Sequence, residues 1–121
     1  MNALAGLLVF VVALLHVGFA VLEMFLWTGP IGQRVFNLTP ELANATAVLA
    51  ANQGIYNLLL AGGITWAAWS GRRDLRVFFL VSVILAGVFG AMTAKFTILF
   101  IQAAPAAVAL LFVLLARPKA T

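Results

Sequence analysis

Apolar residues run almost unbroken from Ala3 to Trp27, and the interruptions are His16 and Glu23. About 20 apolar residues cross the ~30 Å hydrocarbon layer of a bilayer, so this run predicts a membrane helix over about 3–28. A cleaved signal peptide is the rival reading, because Val17-Gly18-Phe19-Ala20 loosely resembles a small-residue cleavage site. No Lys or Arg precedes the run, however, and it exceeds the usual apolar core of about 7–15 residues, so a retained helix is expected. Gly29-Pro30 breaks it, and a connector of mixed polarity follows from Ile31 to Leu38. Thr39-Pro40-Glu41 then opens a second helix over about 40–69. Thr39 suits the N-cap, Pro40 the first turn and Glu41 the positive end of the dipole. Ser70-Gly71-Arg72-Arg73-Asp74 closes it.

The tract from Leu75 to Ala116 is apolar almost throughout. As one helix it would reach roughly 60 Å, twice the hydrocarbon thickness, so it must fold back once. Lys95, between Thr93 and Thr97, is the natural turning point and divides helices over about 75–94 and 96–116. The pattern therefore predicts an all-α membrane protein. It is a single transmembrane domain over residues 1–121, a bundle of four transmembrane helices with both termini on one side.

Composition strengthens this reading. The chain has 121 residues, 65% hydrophobic and 8% charged, against roughly 25% charged in a soluble domain. Its formal net charge of +4 is not a nucleic-acid footprint, since the cations flank apolar runs and form no basic face. The absence of cysteine excludes disulfides, iron–sulfur clusters and thiolate chemistry. With four spans, Arg72, Arg73, Arg76, Arg117 and Lys119 fall on the side of the N-terminus, leaving Arg34 and Lys95 opposite. The positive-inside rule puts the richer side in the cytoplasm of a bacterial inner membrane. Trp27 then lies at the outer interface and Trp69 at the inner one.

Inside such helices the polar residues are informative, because a charge at the bilayer centre costs at least ~2.5 kcal/mol. His16, Glu23 and Trp27 lie on one stripe of the first helix, at spacings of seven and four. The second helix carries Asn52, Gln53, Tyr56 and Asn57, and the fourth carries Gln102. Matching depth along antiparallel helices puts Glu23 in one layer with Asn52, Gln53 and Gln102. His16 joins a deeper layer with Tyr56 and Asn57. Singly, each amide is as well explained as glue between helices, and so is the histidine. A carboxyl group is harder to explain so, unless it sits at the interface beside Arg34 or Lys95. One histidine without cysteine falls short of a closed metal site, and no metal or cofactor is expected. Gly62, Gly63, Gly87 and Gly90 predict a close crossing of the second and third helices.

Leu22-Glu23-Met24-Phe25-Leu26-Trp27, Val35-Phe36, Ala50-Ala51-Asn52-Gln53-Gly54-Ile55-Tyr56-Asn57 and Gln102-Ala103-Ala104-Pro105-Ala106 carry a resemblance. Together they are similar to the domain-of-unknown-function 1304 family of small bacterial integral membrane proteins. The resemblance covers nearly the whole chain and implies the four-span topology. It implies no activity.

Three kinds of function fit these residues. The first is binding of, or action on, a lipid-soluble small molecule in an intramembrane polar site. Glu23 and His16 would be acid and base, with Trp27, Asn52, Gln53, Tyr56, Asn57 and Gln102 as ligand-binding candidates. The second is a proton-linked transporter working as a homo-oligomer. The third is a structural or accessory membrane subunit. The charge distribution also makes a prediction of its own. A reporter fused after Thr121 should be active in the cytoplasm and silent outside it, and the opposite pattern would refute the orientation.

Overall fold

The computed structural model describes residues 2–117. Lys119, counted above among the cytoplasmic cations, lies outside them. In apolar surroundings a helix satisfies its own backbone polar groups, and the described residues form helices joined by turns. The helices are α1 (Ala3–Phe25), α2 (Pro30–Phe36), α3 (Pro40–Ser70) and α4 (Arg73–Thr93), followed by a π-helical segment (Leu99–Ala103) that runs into α5 (Ala104–Leu115). Helices α1, α3 and α4 are long and apolar enough to cross a membrane, and the apolar stretch Leu99–Leu115 is shorter.

The termini of these elements follow from local chemistry. The Asn2 side chain accepts from Leu4 N–H at 3.0 Å at the start of α1. Thr39 caps α3 as its sequence predicts: its Oγ1 accepts from Leu42 N–H at 3.2 Å. Two boundaries differ from expectation. The first helix stops at Phe25, and the connector after it folds into α2. Gly32 explains the fold-back, because its N–H donates to the Leu26 carbonyl at 3.0 Å. A Cβ at 32 would overlap that carbonyl oxygen and lie 2.6 Å from Trp27 Cα. Asn37 then ends α2 in the left-handed region, φ 54°, with its N–H on Gln33 O.

The last helix begins two residues later than expected, since residues 94–97 are not helical. Lys95 is where the turn falls. Its N–H donates to Gly90 O at 3.1 Å, and its carbonyl accepts from Ile98 N–H at 3.0 Å. The π-helical turn has a cause in Pro105. Proline has no N–H, and its ring crowds the carbonyl four residues back, here Ile101. Widening the preceding turn relieves this, with Ala104 N–H reaching back to Leu99 O.

The chain forms two compact units, one of Met1–Ala13 with Gly62–Thr121 and the other of Leu14–Ala61. In the first, Val9, Ile64, Leu80, Val83 and Val113 are fully buried. The glycines contribute differently from expectation. A Cβ at Gly63 would lie 2.5 Å from Phe79 Cζ, as a crossing of α3 and α4 requires. Gly87 and Gly90 instead face the last segment: Cβ atoms there would lie 2.8 Å from Ala103 N and 3.2 Å from Ile98 Cγ2. Gly62 faces open space. The bulky Phe79 ring fills the α3 crossing, so the backbone-to-backbone approach occurs between α4 and the π-helical turn.

Two arginines of this unit cap helices. The last four carbonyls of a helix have no partner within it. Arg76, which is buried, donates from Nε to Ala67 O at 3.0 Å and from Nη2 to Ala68 O, in the last turn of α3. Arg73 Nη2 donates to Leu114 O at 3.0 Å, in the last turn of α5. Positive charge at these ends also complements the helix dipoles. The Arg72–Asp74 pair, 2.6 Å apart, is exposed and adds little.

This packing predicts unequal effects at the glycines. Gly87→Val forces a side chain against the Ala103 backbone and should destabilise the protein by ~1–3 kcal/mol, as overpacking does. Gly62→Ala should leave the melting temperature in detergent unchanged. Equal effects in that assay would contradict the packing.

Candidate functional site: a buried acid–amide pair

The unit Leu14–Ala61 contains most of the polar residues singled out by sequence. On α1, His16, Ala20 and Glu23 are buried at helical spacing and form one face. On α3, Ala43, Ala50, Gly54, Asn57 and Ala61 form the corresponding face. Gly54 lets the two helices approach closely. A Cβ there would overlap Met24 Cγ and lie 3.2 Å from Ala20 O. Three residues further along α3, Asn57 reaches Glu23. Its Nδ2 donates to Glu23 Oε1 at 2.5 Å, and each residue is 8% exposed.

A carboxylate offers about four lone-pair sites, and Asn57 fills one. Every buried side-chain nitrogen and oxygen among the described residues has a hydrogen-bond partner. The donor found on Glu23 among the described residues binds Oε1. Among the described residues, Glu23 thus has a donor on Oε1 and none on Oε2. It stands two residues from the end of α1, so the pair lies near one end of that helix rather than at its middle.

Trp27 lies beyond it. Its Nε1 donates to Thr46 Oγ1 at 2.9 Å, and Thr46 donates in turn to Leu42 O at 2.7 Å. The indole also packs on Phe36 of α2, with ring centroids 4.7 Å apart. His16 is fully buried, edge-on to Phe19 at 5.1 Å. It is seven residues from Glu23, about 10 Å along the axis. That exceeds hydrogen-bond reach, so the two do not exchange a proton directly.

The layers expected from depth matching do not form as drawn. Glu23 meets Asn57, and Asn52, Gln53 and Tyr56 are exposed on α3. The cause is the early end of α1. Trp27, seated on Thr46, takes the place beside the first turns of α3, and Glu23 falls about one turn further along. Helix geometry does the rest, since Asn52 lies about 140° around α3 from Asn57. Gln102 belongs to the other unit, half-buried in the π-helical segment. Sequence reasoning missed Thr46 and Phe36 as supports for Trp27. The usable signal for Thr46 was its place on the stripe of Ala43, Ala50, Gly54 and Asn57. Among the described residues, no three His, Cys, Asp or Glu side chains come together to hold a metal ion.

The family described as "Protein of unknown function (DUF1304)" matches residues 10–114, a range that includes Glu23, Asn57 and every other candidate. The chain belongs to this family. The chain is also similar to an uncharacterised protein, YpaA, of Lactococcus lactis subsp. lactis (strain IL1403). It is 31% identical over 115 residues, which cover 92% of this chain and 97% of that one. No solved structure matches the chain.

The pair itself is testable. Asn57→Ala leaves a buried carboxyl without its donor and should destabilise this DUF1304 chain by ~1–3 kcal/mol. Replacing Glu23 and Asn57 together by leucine should cost less than the sum of the single changes. A double-mutant cycle of melting in detergent that showed simple additivity would mean that the two side chains do not interact.

Proposed function

We propose that this chain crosses a bacterial inner (cytoplasmic) membrane four times, with both termini cytoplasmic, and binds a lipid-soluble small molecule at Glu23. Two observations support the topology. A Cβ at Gly6 would lie 3.5 Å from Arg76 Nη2, and Arg73 holds Leu114. The start of α1 and the end of α5 thus both reach the arginines at the head of α4. The fourth segment, Leu99–Leu115, is about 26 Å long, within what local thinning of a bilayer accommodates.

The observation that carries the ligand reading is the half-used carboxyl of Glu23. A buried carboxyl group near the end of a membrane helix, held by one amide, favours a molecule with an apolar body and a hydroxyl or amino head. The head would donate to Oε2 while the body lies along the helices. Trp27 suits the boundary, because an indole sits well where an apolar layer meets water. The second reading is structural, with Glu23–Asn57 as a clasp between α1 and α3. The hydrogen bond between them and the burial of both residues favour it.

One measurement separates these. The protein is purified in mild detergent, and bound small molecules are extracted and identified by mass spectrometry. A molecule stoichiometric with the wild type, reduced in Glu23→Gln and lost in Glu23→Ala, supports binding. If wild type and variants are equally empty while only stability differs, the clasp reading stands and the binding proposal fails.

A further inference from the structure

The surfaces that the three long helices leave uncovered differ in chemistry. On α1 the large exposed side chains are apolar, among them Leu7, Leu14, Val21 and Phe25. On α4 they are Phe78, Leu85, Phe89 and Met92. Both faces suit lipid. The uncovered face of α3 instead carries Asn52, Gln53 and Tyr56 among leucines. Amide and phenol groups facing hydrocarbon forgo the hydrogen bonds they make in water, which is costly.

These residues are also regularly placed. Ala45, Leu49, Asn52, Tyr56 and Leu59 follow one another at intervals of four, three, four and three. That is the 3.5-residue period of a seam between two helices. Leu49, Tyr56 and Leu59 are 71%, 61% and 67% exposed, so the seam is open along its length. It lies within the unit Leu14–Ala61, on the side of α3 away from Asn57.

We infer that a second copy of this chain covers this seam, with α3 packed against α3 as a parallel pair. Three arguments select that occupant. Asn, Gln and Tyr side chains each both donate and accept, so the patch is complementary to itself. Copies inserted in one orientation carry the same residue at the same depth, so Asn52 meets Asn52 across a two-fold axis along the membrane normal. A single polar residue in an apolar seam is also a recognised device for fixing register and partner number. The inference rests on the single membrane orientation proposed above and is independent of any ligand at Glu23.

The chain has no cysteine, so single-cysteine variants report without background. Leu49→Cys, Asn52→Cys, Tyr56→Cys and Leu59→Cys are oxidised with copper phenanthroline in native membranes. Leu58→Cys on another side of α3 and Val17→Cys on α1 serve as controls. All four seam positions should shift to the mass of a cross-linked dimer, and the controls should stay monomeric. Asn52→Leu should weaken dimerisation, read by energy transfer between labelled copies in bilayers, by about three- to tenfold, the range one or two interhelical hydrogen bonds supply. Glu23→Gln should leave the cross-linking pattern unchanged, so a failed ligand site does not disturb this readout. No dimer at the seam, or equal cross-linking at the seam and the controls, overturns the inference. So does protection of the seam positions by a bound small molecule in a monomer.

Discussion

One hydrogen bond sets how α1 and α3 lie together in the unit Leu14–Ala61. Two apolar helices in lipid have little to choose between registers, because lipid tails are as apolar as leucine. A buried carboxyl group changes that, since every register that leaves it without a donor is penalised. Asn57 supplies the donor. With Glu23 fixed opposite Asn57, Gly54 falls under Ala20 and Met24, where a side chain would not fit. Trp27 is then carried to Thr46, and the chain must turn at once. Gly32 allows that turn by admitting the Leu26 carbonyl. Short α2 is therefore a consequence of the polar pair as much as of its own sequence.

The other unit is organised by charge of the opposite sign. Arg73 and Arg76 lie among cations that read as a topology signal, and their side chains also reach the carbonyl ends of α5 and α3. The two roles are compatible. A guanidinium with five donors can hold several carbonyls, and such a cation near a helix end is also what the positive-inside rule counts. Burial of Arg76 is tolerable for the same reason, since the carbonyls it meets are those that lack partners in their own helix.

Much of this was legible in the sequence. The apolar runs located the long helices, Thr39-Pro40 located the start of α3 to the residue, and the length of the Leu75–Ala116 tract required a turn near Lys95. The stripe of His16 and Glu23 identified the buried face of α1. Register was not legible. Depth matching treated α1 as continuing to Trp27, and a helix that stops two to three residues earlier shifts every partner on α3 by about a turn. That is why Asn57 rather than Asn52 or Gln53 holds Glu23. The π-helical turn was not legible either. Pro105 forecasts a disturbance, but whether the helix kinks, breaks or widens depends on the neighbour, here Gly87 against Ala103.

The choice of glutamate at position 23 bears on function through a comparison of costs. If the pair served only to clasp two helices, glutamine would do as well. Its amide accepts from Asn57 through the carbonyl and donates through nitrogen, and it carries no charge to be desolvated. A carboxyl in an apolar setting is the costlier of the two. Asn57 offers a dipole rather than a compensating charge, and the ion pair seen among the described residues is elsewhere, at Arg72 and Asp74. What glutamate has that glutamine lacks is an acid proton or a negative charge, and the oxygen that would present it, Oε2, has no donor among the described residues. A clasp has no use for either property. A hydroxyl or amino head donating to Oε2, as proposed above, would use the negative charge.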